Sequence, residues 1–214
     1  MAIIYPLDIL AGFPGTTTRF ELQYLQEVSP LRGGRQVVAD LGPALWAMDV
    51  RSRSLQPNEL KAWKARLAAL ENGGRQLIGY DMTACYPIAY PRGSWPTGGE
   101  FDGLASLRSV TGSKTVTLGG LLEGYKVSTG DYISFGYGGN RALHQAMEDA
   151  VADEFGVSSA FEVRPYIRPG YVLDVDVALT RPHAVMLIVP GSVSAPSAPD
   201  TGRGTVSFSA IQTL

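Results

Sequence analysis

The sequence predicts a mainly β protein with one flanking α-helix, and three observations carry that prediction. One amphipathic stripe at helical spacing occurs in the first half: Leu60, Trp63, Leu67 and Leu70. Before it, apolar residues fall at every second position, as in Trp46, Met48 and Val50 against Ala47, Asp49 and Arg51. From Thr115 onward, short apolar runs alternate with glycine-rich turns, the pattern of a small β-barrel or sandwich.

The bulk properties bound the function. A chain of 214 residues can bury a good core as one large domain or two small ones. Its 18 Lys and Arg nearly balance 20 Asp and Glu, which argues against a dedicated nucleic-acid binder. Charged residues make up only 18%, below the usual quarter, and such a surface suits a protein that hides much of itself against neighbours. Cys85 is alone, so no disulfide framework exists and a cytosolic or thiol-indifferent setting fits. The apolar start, MAIIYPLDILAGFPG, lacks a basic leader and carries Asp8 and two prolines, so it does not read as a signal peptide. No stretch approaches the ~20 apolar residues of a membrane span, and no membrane insertion is expected.

Taken in order, residues 1–16 form a turn-rich arm, expected against a neighbour or the domain's own edge. Thr17–Leu25 alternates as a strand, Ser29–Arg35 turns, and Gln36–Ala39 returns as a second strand. The Trp46 strand follows. Pro57 then opens a helix over 57–72: it tolerates the first helical position, and Glu59 sits near the positive end of the dipole. Gln56 is a poor N-cap, so that end is expected to fray. Asn72-Gly73-Gly74 ends the helix, and Leu77–Asp81 is the next strand. Trp46 and the Leu60, Trp63, Leu67 and Leu70 stripe are the expected core, with Trp63 as the plug between helix and sheet.

Residues 82–114, with three prolines and little periodicity, read as a long extended connection into a second unit. Strands are expected at 115–118, 132–135, 161–163 and 172–177. Asn140–Phe155 is ambiguous, because Leu143, Met147, Val151 and Phe155 repeat at helical steps of four. Residues 182–189 and 205–211 are strands without a local partner. They can return to the first module, which gives one domain of 1–81 plus 182–214 and an inserted β-rich domain of 82–181.

No catalytic constellation stands out. Gly136–Asn140 lacks the spacing of a phosphate loop. Glu148, Asp149, Asp153 and Glu154 lack calcium-loop spacing and read as a solvated turn. His144 and His183 have no zinc context, and Cys85 has no nucleophile motif. Catalytic, cofactor and metal residues are therefore expected to be none. Tyr86, Tyr90, Trp95 and Phe101 have three readings: pins holding the connection to the domain, a protein contact, or a sugar platform. Arg164, Arg168 and Arg181 are interface anchors or simply exposed.

Four stretches of the first half carry a family likeness: the Trp46 strand, Leu55-Gln56-Pro57-Asn58-Glu59…Ala62-Trp63…Leu67, the Gly73-Gly74 break, and Leu77–Asp81. In the second half, Thr117–Leu121…Gly130–Ile133, Ala152–Gly156, Val163-Arg164-Pro165 and Val206–Ala210 add to it. Together they resemble the distal tail proteins of long-tailed phages, over most of the chain. The resemblance implies a tail-tube-like β-sandwich or split barrel with an inserted small β-barrel-like domain. It favours a strand over Ala142–Met147 followed by an acidic turn. It implies a homo-oligomeric ring, usually hexameric, in the virion tail and made in the host cytoplasm. The implied partners are the tail tube, hub and tape-measure proteins, with DNA passing through unbound. Another tail tube, terminator or hub subunit is the alternative within that class, and a carbohydrate-binding module of an adhesion device is the alternative outside it.

Overall fold

The computed structural model describes residues 3–96 and 101–214. The first strands are β1 (Gly15–Gln23), β2 (Gln26–Pro30), β3 (Gln36–Asp40) and β4 (Leu45–Ser52). Helix α1 (Pro57–Ala68) and β5 (Gln76–Gly79) follow. Then come β6 (Leu104–Thr111), β7 (Thr115–Gly119), β8 (Lys126–Val127), β9 (Tyr132–Tyr137) and β10 (Asn140–Ala146). The last strands are β11 (Ala150–Val151), β12 (Phe161–Arg164), β13 (Asp176–Ala178), β14 (Ala184–Ile188) and β15 (Ser207–Gln212). The protein is thus mostly β with one α-helix among the described residues. It divides into two compact units: residues 14–75 with 187–213, which hold the helix, and residues 1–13, 76–186 and 214, which hold a barrel.

In the helix-bearing unit β4 is flanked by antiparallel β1 and β15, with Leu22 opposite Trp46 and Phe208 opposite Val50. The two-residue period predicted for β4 is observed. Trp46, Met48, Val50 and Ser52 are buried, while Asp49 and Arg51 face solvent. Phe20 stacks on Trp46 at 5.2 Å, a diagonal cross-strand pair. The helix ends at Ala68, short of the expected residue 72, and the stripe is closed to water: Leu60, Trp63 and Leu67 on α1 and Leu70 just past its end are each at most 6% exposed.

The start of α1 corrects the expected fraying. The Glu59 carboxylate reaches back to the Gln56 N–H at 3.1 Å and pairs with Arg53 at 3.0 Å, satisfying a donor that a bare helix start would leave open. Past α1, Gly73 adopts φ +100°, and a Cβ there would meet the Ile188 carbonyl oxygen at 2.7 Å. Asn72 Oδ1 accepts the Gly191 N–H, which ties the helix end to the segment leading into β15.

The other unit is built on a closed barrel, ordered β10-β12-β7-β6-β13-β9. Its hairpins are local: β9 to β10 through Gly138-Gly139, both at positive φ, and β6 to β7 through residues 112–114. One cluster fills it, including Leu107, Val116, Leu118, Ile133, Phe135 and Phe161. The short pair β8–β11 and the parallel bridge from Leu7 to Leu77 on β5 complete this unit. The N-terminal arm thus lies on its own unit, where Asp8 pairs with Arg181 and that guanidinium covers the Tyr80 ring.

Several expectations shift here. Residues 82–114 are not one structureless connection, because Leu104–Thr111 is a barrel strand whose Ala105 and Leu107 point inward. The expected 172–177 strand shrinks to Asp176–Ala178. Asn140–Phe155 follows the strand-then-turn alternative and not the helical one: β10 covers Asn140–Ala146, and the short β11 and turns come after it. The step-of-four apolar set does not share one buried face: Leu143 is 1% exposed, whereas Val151 and Phe155 are 51% and 80% exposed.

Candidate functional site: an exposed β-ribbon

Gln36–Ala39 was expected to pair with the strand at Thr17–Leu25. Instead β3 pairs with β2, and the two stand apart as their own antiparallel ribbon, with every residue of both strands exposed. Val28 faces Val38 on one side, and Ser29 faces Val37 on the other. Leu41 donates its N–H to the Leu25 carbonyl and extends the ladder below. Leu25, Val28, Val37, Val38 and Leu41 are each 47–60% exposed. The tip, Leu31-Arg32-Gly33-Gly34-Arg35, closes by Leu31 N–H to Arg35 oxygen at 2.8 Å and Gly34 N–H to Leu31 oxygen at 3.0 Å. An isolated two-stranded ribbon is marginal in water, and large apolar side chains left exposed on both of its faces point to an interaction site. Its sequence signal is the symmetry of Glu27-Val28 and Val37-Val38 about Gly33-Gly34, hidden when Ser29-Pro30 is taken as the turn.

The aromatic residues named as interface candidates have a different place. Tyr90 is 8% exposed and lies in the barrel core, with Trp95 and Phe101 packed against that core. The Trp95 ring meets Phe101 edge-on at 5.0 Å, and Tyr90 meets Tyr125 at 4.6 Å. They are pins of the connection, as the first of the three readings has it, because their apolar area is worth more inside than on a wet surface. Tyr86 is 41% exposed. Arg164 is half-buried, pairs with Glu162 and lies 4.5 Å from the Tyr166 ring, with Lys114 5.0 Å from the same ring. Arg168 is partly buried, and burial holds its pKa down. Arg181 is the internal tie to Asp8, not a free anchor.

The acidic residues serve the backbone. Asp149 accepts the Thr129 N–H and hydroxyl and pairs with Lys126, which together hold its pKa down at about 2. Asp153 accepts the N–H groups of Phe155 and Val157, and Glu148 that of Glu162. Buried Asp131 receives the Ile88 N–H at 2.7 Å and the Ser128 N–H at 2.8 Å, fastening the connection to the barrel; burial pushes its pKa up. It borders a cavity of about 80 Å³ with Tyr86, Ile88, Tyr132 and Pro182, too small for a metabolite. Cys85 is half-buried, its thiol raised by burial. Among the described residues no group of His, Cys, Asp and Glu is arranged to hold a metal ion. Nor is any helix long and apolar enough to cross a membrane.

Comparison with known proteins finds no family model and no curated protein that matches the chain.

Proposed function

We propose that this protein is a structural subunit that assembles with copies of itself, and specifically a distal tail ring protein of a long-tailed phage, non-enzymatic and expected to be hexameric. The ribbon carries this reading. An apolar arm free on both faces is a cost to an isolated monomer and an asset to a subunit with neighbours. Heterologous contact between identical copies closes into a ring when the rotation allows it. In this reading the ring joins the tail tube to the hub and lets DNA pass, and a chain of net charge −2 offers little to hold phosphate. The motif likeness supplies the word "tail"; another tube, terminator or hub subunit satisfies the same observation. For the glycan-binding alternative, Trp95 and Phe101 are partly buried against the barrel core, which leaves less ring face for a sugar and favours the assembly reading.

The test is association in solution. Sedimentation equilibrium over a wide concentration range is expected to show a discrete oligomer, and negative-stain images particles with a central hole. A strictly monomeric species at the highest concentration would overturn the proposal.

A further inference from the structure

The two units carry opposite charge. The helix-bearing unit has ten Lys and Arg against seven Asp and Glu, net +3, and the barrel unit eight against thirteen, net −5; together they make the chain's −2. Arg32 and Arg35 at the ribbon tip are exposed and have no acidic partner among the described residues.

On the barrel unit one feature matches both properties of the ribbon. Asp153 and Gly156 build a tight turn: Asp153 Oδ1 takes two N–H groups, and Gly156 sits at φ +71° with its Cα against the Leu121 carbonyl, where a Cβ would come within 2.3 Å. That turn holds Phe155 outward at 80% exposure. The neighbouring turn is bonded to it by Leu121 N–H to Gly156 oxygen and Gly124 N–H to Ala152 oxygen, which sets exposed Glu123 in the turn beside that of Glu154. A rigidly presented aromatic with acids about it is complementary to an apolar ribbon tipped with arginine.

Resting on the self-assembly reading, we infer that the ribbon of one copy docks on the Phe155 turn of a second copy. The apolar ribbon face covers Phe155, and Arg32 and Arg35 meet Glu123 and Glu154. The contact is heterologous, so each copy offers one arm and one turn and the series continues from copy to copy.

Three purified chains test this by sedimentation, with circular dichroism as the folding control: R32E/R35E, E123K/E154K, and all four changes together. Each double variant is expected to associate at least about tenfold more weakly, and the quadruple charge swap to recover association. Mixing the two double variants is expected to recover association in alternating copies, because the glutamate arm of one variant then meets the lysine turn of the other and the arginine arm of that other meets the native glutamate turn; a mixture as weak as its components also overturns the inference. A further mixture, of R32E/R35E with a Phe155→Ala chain, leaves one intact arm and one intact turn and is expected to stop at a heterodimer. Folded double variants that assemble like the parent overturn the inference while leaving self-assembly standing, as does a quadruple variant without recovery. A parent chain that never associates overturns the reading beneath it.

Discussion

His144 is the residue whose surroundings most constrain its chemistry. Its Nδ1–H donates to the Pro165 carbonyl at 2.7 Å, its ring stacks on Phe135, and its Nε2 is buried without a partner. Burial lowers its pKa from 6.5 to about 4. The folded barrel therefore holds it neutral where the unfolded chain protonates it. Stability is fully present above pH 6.5 and is lost as pH falls from there to about 4, by about 3 kcal/mol for this group. His183, also lowered by burial, adds in the same direction. Asp131, whose pKa is raised, works oppositely: its penalty is relieved as the pH falls through its folded pKa towards the ordinary carboxylate range. Denaturant midpoints between pH 7 and pH 4 should fall steeply, and His144→Gln should flatten the curve; an unchanged slope in the variant would show that the histidine is not the cause. Gly156→Ala should destabilise by about 1–3 kcal/mol, from a strained φ and a clash with the Leu121 carbonyl. Thermal melting checks it.

At the level of elements, α1 repays the confidence its periodicity invites. Trp63 is 6% exposed and Arg66 lies 4.7 Å from its ring, so Trp63→Ala should cost about 3–5 kcal/mol, read from urea unfolding. The helix and β4 were legible because both signals are local: a stripe at steps of three and four, and a strict alternation. The Glu59 back-bond was legible only in part, since the dipole argument placed the carboxylate but not its N–H. β6 was missed because prolines and glycines upstream masked the Ala105 and Leu107 alternation. Residues 140–155 misled by propensity alone, because barrel pairing with β9 and β12 overrides a helical pattern. The ribbon was half legible: β3 was expected, but its partner was not, since pairing is a choice between strands and not a property of one.

At the scale of the whole chain, a β-rich character and a small barrel or sandwich in the second half were readable, but the choice of closed barrel over sandwich was not. Closure depends on β12 pairing with both β7 and β10 and on β13 bridging β6 and β9, contacts far apart in sequence. The opposite charges of the two units were present in the composition and cancelled in its total. If those charges drive assembly, raising the ionic strength should dissolve oligomers into monomers, seen as a fall in weight-average mass; salt-insensitive mass would assign the contact to apolar burial alone. The ribbon tip has one more consequence. Two arginines around a glycine pair, on a bare loop, form a ready cleavage site for trypsin, so the free chain should be nicked there first. Copies engaged with a neighbour should be spared, and the time course of cutting at the tip, after Arg32 or Arg35, becomes a clock for how long each arm stays bound.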